Sequence, residues 1–145
     1  MEIFSLEDLY NLAIDLVNKI ELKTYNTKDL IIFIRKNQSK KLLNSFCIAG
    51  KLDKFEMNIL KTDISNVKLS LDNIIKNIIN HPDLNLYDYK RINKIISYPD
   101  EVICSKNKNN CILILKKYNK NYQIVIKSTL NHKENFLTSF RYAEH

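Results

Sequence analysis

Apolar positions along this chain follow two different periods. Over residues 5–20, Leu6, Leu9, Leu12 or Ala13, Leu16 and Ile20 recur at helical spacing, with Ser5 as a cap and Asp8 at the capping-box position. Ser70 caps a second helix, whose Leu71, Ile74, Ile75, Ile78 and Ile79 fill one face before His81-Pro82 stops it. A third, roughly Leu86 to Ser97, turns Tyr89, Ile92, Ile95 and Ile96 inward and ends at Pro99. The pattern then shifts to strands: Glu101–Ser105, Cys111–Tyr118, Tyr122–Ser128 and Asn135–Arg141. The segments between them, Lys106–Asn110, Asn119–Asn121 and Thr129–Glu134, are polar and of hairpin length. Two helices followed by an antiparallel meander predict an α+β module.

Residues 1–66 are less regular. Leu30-Ile31-Ile32-Phe33-Ile34 fits either a buried strand or the apolar side of a helix. Residues 47–66, with Gly50 and scattered charges, read as irregular apart from one short element around Phe55 to Leu60. A boundary near Asp63-Ile64-Ser65-Asn66 divides the chain into a mixed N-terminal region, 1–66, of unassigned fold and role, and a domain, 67–145.

Composition removes several function classes. At 145 residues the chain buries roughly 69% of its unfolded surface, enough for a core without disulfides or metal as staples. Its single glycine, Gly50, cannot build a dinucleotide fingerprint, a P-loop or a nucleophile elbow. Cys47, Cys104 and Cys111 are odd in number and lack C-x-x-C spacing, which predicts small buried hydrophobes in a reducing compartment. The longest apolar run, Leu30 to Ile34, is far short of a membrane span, and the acidic start (Glu2, Glu7, Asp8) is unlike a secretory signal. A soluble cytoplasmic protein is expected.

Charge is unevenly spread. Formal net charge is +7, almost all of the cations being lysines. Residues 1–66 carry 10 basic and 9 acidic side chains, whereas residues 67–145 carry 13 and 7. The positive field belongs to the second half, which makes a polyanion such as RNA a plausible partner there.

In that half, Leu69-Ser70-Leu71-Asp72, His81-Pro82-Asp83-Leu84, Asp88-Tyr89, Pro99-Asp100-Glu101-Val102, Tyr122-Gln123-Ile124-Val125-Ile126-Lys127 and Phe136-Leu137-Thr138-Ser139-Phe140-Arg141 form an ordered set of blocks. In order and spacing the set resembles phage-associated members of the barnase/EndoU/colicin/RelE-like (BECR) nuclease family, over about residues 67–142. The resemblance implies two helices packed on a four-stranded antiparallel sheet. It also implies a metal-independent endoribonuclease of toxin or effector type, without a cofactor, cutting RNA (tRNA among the candidates) by 2′-hydroxyl attack to a 2′,3′-cyclic phosphate. By position, Lys127 and Arg141 would stabilise the phosphate, Thr138 and Ser139 would supply hydrogen bonds, and His81 or His132 would transfer protons. Tyr142 stands where a second basic residue often follows the terminal arginine.

Each residue also has a plainer reading. Strand alternation puts Lys127 with Gln123 and Val125, opposite Ile124 and Ile126, at a solvated strand end or in a cleft. Arg141 could pair with Glu144, although a two-pronged phosphate contact is a reason to keep arginine in a lysine-rich chain. His81 could serve as a helix C-cap, His132 could be an idle loop residue, and Glu134 could be a general base or a partner of Lys133. Thr138 and Ser139 alternate, so only one should share a face with Lys127. Lys106, Lys108, Lys116 and Lys117 would guide an RNA strand, and the tyrosines and phenylalanines among them could stack bases or fill the core. A magnesium nuclease would need an acid two residues before Lys116 or Lys127, where Ile114 and Val125 stand. The rival reading is a non-catalytic RNA-binding or protein-interaction module retaining the fold. A toxic nuclease would require an acidic immunity or antitoxin partner.

Overall fold

The structure, a computed structural model, describes residues 4–19, 26–104 and 110–143. Glu2, Ile20, Ser105, Lys106, Lys108 and Glu144, named above, lie outside the described residues. In chain order the elements are α1 (Leu6–Asn18), α2 (Thr27–Lys36), α3 (Lys40–Leu43), β1 (Phe46–Lys51), α4 (Lys54–Leu60), β2 (Asn66–Ser70) and α5 (Leu71–Asn80). There follow α6 (Leu86–Lys90), α7 (Ile92–Ser97), β3 (Glu101–Cys104), β4 (Cys111–Lys117), β5 (Asn121–Ser128) and β6 (Asn135–Tyr142). No described helix is long and apolar enough to cross a membrane.

The α+β class stands, and the sheet is larger than expected. Strands β3 to β6 do form an antiparallel meander, with β5 pairing β6 from Tyr122↔Tyr142 to Ser128↔Asn135. They are part of a six-stranded sheet of order β1-β2-β6-β5-β4-β3. Strand β2 joins β6 in parallel through Val67↔Asn135 and Lys68↔Phe136, so the sheet is mixed. Two inconspicuous strands account for the difference. In β1 the register shifts between Ile48 and Gly50, and a Cβ on Gly50 would come within 2.9 Å of Ile96 in α7. The glycine that suggests irregular chain instead permits close packing of a helix on a strand.

The helices also depart from the expected pair. Asn26 accepts from the Asp29 amide at 2.8 Å and caps α2, turning Leu30, Ile31 and Ile34 inward. The ambiguous apolar run is therefore helical. The expected helix over 86–97 divides at Arg91 into α6 and α7. Helix α1 packs on α5 and α6, while α7 packs on β1 and β4. One buried hydrophobic cluster runs from Leu9 and Leu30 through Ile74 to Ile124 and Phe140, so packing is continuous across residue 66. Of the cysteines, Cys47 alone is buried as expected; Cys104 is exposed and Cys111 half-buried.

Strand β2 accompanies β6 for only two residue pairs and then gives way to α5. From there the exposed edge of β6 is satisfied by asparagines. Asn73 Nδ2 donates to the Leu137 carbonyl at 3.1 Å. Buried Asn77 accepts from the Phe140 amide at 2.9 Å and donates to its carbonyl at 2.9 Å, while also reaching the Tyr89 hydroxyl at 2.7 Å. Their spacing, one helical turn apart, matches the strand edge they cover. Tyr89 in turn stacks on Tyr10 at 4.9 Å and meets Phe140 edge-on at 5.2 Å. Several aromatics weighed as base-stacking residues are thus core.

Two expected outcomes follow from these buried polar groups. Asn77→Ala leaves the Phe140 amide and carbonyl unpaired and should cost about 3 kcal/mol in urea unfolding; a loss below about 0.5 kcal/mol would show that water replaces the clamp. Glu56, in the capping box of α4, is 1% exposed, and burial pushes its carboxyl up to about 7, against the pull of the Asp53 amide. The folded state therefore favours the neutral acid. Its contribution is full below the ordinary value of 4.5 and is lost as pH rises through about 7. Glu56→Gln keeps the acceptor without titrating, so its stability relative to wild type should improve by on the order of 2 kcal/mol between about pH 4 and pH 8. A pH-independent difference would contradict this.

Candidate active site

The strand register sets one row of side chains across the uncovered face of the sheet. Lys68 on β2 and Lys127 on β5 both pair with Phe136 on β6, one from each side. Ile48 lies beyond Lys68, and Cys111 beyond Lys127. Neighbouring strands stand about 4.8 Å apart, so the two lysines flank a phenylalanine. Over this row opens a cleft of about 520 Å³, walled by the start of α5 and by the β5–β6 loop. Lys68, Lys127, Glu134, Phe136 and Thr138 all line it, as do Asp72 and Asn73.

The charges in the cleft are partly neutralised. Lys68 Nζ is 2.9 Å from Glu134 Oε1 and 4.5 Å from the Phe46 ring centre, and its side chain is 25% exposed. Glu134 therefore pairs with Lys68 rather than with its neighbour Lys133. Asp72 is held by a two-pronged contact from Arg35, with Nε at 2.7 Å and Nη2 at 3.0 Å. The β5–β6 loop is fixed by its own bonds. Thr129 N–H donates to the Glu134 carbonyl at 2.8 Å, and the Glu134 amide returns to Thr129 Oγ1 at 3.2 Å.

A bulge revises the alternation argument. Val125 pairs with Ser139 and Ile126 with Leu137, leaving Thr138 as the extra residue. Leu137 and Phe140 are both buried, whereas Thr138 and Ser139 are both half-buried between them. The inserted residue shifts the phase, so both hydroxyl residues share the uncovered face with Lys127.

The remaining candidates are elsewhere. Arg141 pairs with Gln123, four residues along β5 from Lys127 and about 13 Å away. His81 terminates α5 by donating its amide to the Asn77 carbonyl at 2.8 Å. Burial, and then the Arg141 charge, hold its imidazole below the ordinary range. His132 adopts left-handed backbone (φ 59°), accepts from Thr62 Oγ1 through its carbonyl at 3.0 Å, and does not line the cleft. Lys116 pairs with Asp100 at 3.2 Å on the helix-covered side, while exposed Lys117 donates its amide to the same carboxylate at 2.7 Å. The RNA-guiding pair Lys106 and Lys108 lies outside the described residues. Lys68 and the Arg35–Asp72 pair went unremarked in the sequence. The alternation Val67-Lys68-Leu69, a charge between two buried residues, is the signal that could have found Lys68.

The far end of the sheet carries a buried polar hub. Asp88 accepts from the Tyr122 and Tyr142 hydroxyls and, at 2.8 Å, from the Asn85 amide. Burial alone would raise its carboxyl, and these three bonds outweigh it, holding the group below its ordinary value. Burial and the bond to Asp88 push Tyr142 up to about 12. The tyrosine found in place of a second basic residue thus serves the packing.

Among the described residues, no three His, Cys, Asp or Glu side chains gather as a metal-holding group. Comparison with family models, curated proteins and solved structures finds no match for the chain. In the cleft, two ammonium groups, the Glu134 carboxylate, the Asp72 carboxylate already held by Arg35, the Thr138 hydroxyl and an aromatic floor suit a phosphate ester with an attached ring.

Proposed function

We propose that the protein is a metal-independent endoribonuclease of toxin or effector type, acting at the cleft between β2, β5, β6 and α5. The observation that carries this reading is the Lys68–Glu134 ion pair at 2.9 Å, in the same cleft as Lys127 and separated from it by Phe136 in the strand register. A scissile phosphate above Phe136 meets a cation on either side. Glu134 takes the proton of the ribose 2′-hydroxyl as its oxygen attacks phosphorus. The bond to the 5′-oxygen breaks, leaving a 2′,3′-cyclic phosphate, and that oxygen takes a proton from the Lys127 ammonium. Water then returns Glu134 and Lys127 to their starting states. Lys68 faces the developing phosphorane charge, and Thr138 lies near enough to hydrogen-bond a phosphate oxygen. This assigns proton transfer to Glu134 and Lys127 rather than to His81 or His132. An acidic antitoxin or immunity protein complements the basic second half, and tRNA is one substrate the reading admits.

The non-catalytic alternative has one observation in its favour: neither histidine reaches the cleft. Incubation of the purified protein with total RNA in EDTA separates the two. The nuclease reading expects fragments with 2′,3′-cyclic ends, and Glu134→Gln and Lys127→Ala should each lower the rate by on the order of 10²–10³ while the protein stays folded. RNA retained intact overturns catalysis; activity lost in EDTA and restored by magnesium overturns metal independence.

A further inference from the structure

The uncovered sheet face has a second cationic position that the cleft chemistry does not use. Arg141 is exposed, four residues along β5 from the Lys68–Phe136–Lys127 row. With its amide oxygen turned toward Arg141, Gln123 accepts from Nη2 at 3.1 Å and Nε at 3.2 Å, which orients the guanidinium on the strand register. The separation is about 13 Å, too far for one phosphate to touch both ends. Between them the face is low and free of charge: Val125 stands opposite Ser139 on one side and Leu113 on the other. Among the described residues, acids at this face include Glu134, paired with Lys68, Asp72, held by Arg35 at the cleft wall, and Glu101 on strand β3 at the sheet margin.

We infer that this face is a track for single-stranded RNA, running along β5 and β6 from the cleft to Arg141, with Arg141 holding a phosphate at least one nucleotide away from the one in the cleft. The inference rests on the reading of the cleft as a ribonuclease site. Charge complementarity supplies the occupant, a polyanion long enough to span both ends. The recess selects the strand state. Lys68 is recessed, its side chain 25% exposed, and a single strand, which can bend and splay its bases, follows such a surface better than a stiff duplex. Phe136, half-buried in the row of lysines, offers one ring for an unstacked base. Arg141 is then a positioning residue, tied to substrate length rather than to bond cleavage.

Fluorescence anisotropy with uncleavable 2′-O-methyl RNA tests this, using a dinucleotide, an octanucleotide and a short duplex. The octanucleotide should bind more tightly than the dinucleotide and than the duplex. Arg141→Ala should reduce the octanucleotide-to-dinucleotide affinity ratio about fivefold to tenfold and the octanucleotide salt slope by about one, and Arg141→Lys should restore the slope. Lys127→Ala should weaken both single strands together. If Arg141→Ala weakens both in equal proportion, or the duplex competes as well as the octanucleotide, the track is wrong even where natural RNA is still cleaved. If the length dependence holds and natural RNA is never cleaved, the track stands and the nuclease reading falls.

Discussion

The carboxamide of Asn77 is the constraint on which the arrangement turns. A β-strand whose partner stops short presents amides and carbonyls that must be satisfied, and at Phe140 of β6 both are met by this one buried side chain. The clamp lets β2 end after two residue pairs without exposing a sticky edge. Because β2 ends there, α5 starts there, and the cleft opens where the strand gives way to the helix. Lys68 is the last β2 residue paired with β6, and Asn73 is within the first turn of the helix, so strand and helix supply adjacent walls. A longer β2 would have filled the space.

A second buried polar group fixes the opposite end. Asp88 remains ionised in the core because three hydrogen bonds offset its loss of water, and the two tyrosines that supply two of them come from β5 and from the last residue of β6. Around it, Tyr122 stacks on Phe140 at 5.6 Å and meets Tyr142 at 5.4 Å. The hub links α6 to both strands and joins the Asn77 clamp through Phe140 and Tyr89. Tyrosines dispersed along the sequence thus gather in space, with Arg91 5.8 Å from the Tyr122 ring centre and Lys120 4.6 Å from that of Tyr142.

Between these anchors, the bulge at Thr138 gives the uncovered face its chemistry. One inserted residue places two hydroxyl side chains in succession beside Val125 and Lys127, and it returns Phe140 to the core in time to meet Asn77. Without the shift, strict alternation from Leu137 would turn Ser139 inward and Phe140 outward. Site and core are therefore set by the same irregularity.

What the sequence determined by itself is whatever depends on local period. The helices beginning at Ser5 and Ser70, the meander of β3 to β6, the pairing of β5 with β6, and the orientation of Lys127 all follow from spacing, caps and short polar loops. The apolar run Leu30–Ile34 carried too little period to separate helix from strand; the Asn26 cap together with packing against α5 makes it a helix. Strands β1 and β2 were illegible because one holds a glycine chosen for contact with Ile96 and the other is short and merges into a helix cap. The cleft was half legible: strand alternation placed the face of Lys127, and the resemblance pointed to Lys127 and Thr138, whereas Lys68 and its bond to Glu134 span 66 positions of chain. No local pattern encodes a parallel pairing of two residues, nor a bulge that depends on where the partner strand stops. Those were decided by the tertiary structure, because the free energy that fixes them comes from satisfying the edge of β6 and closing the core beneath it.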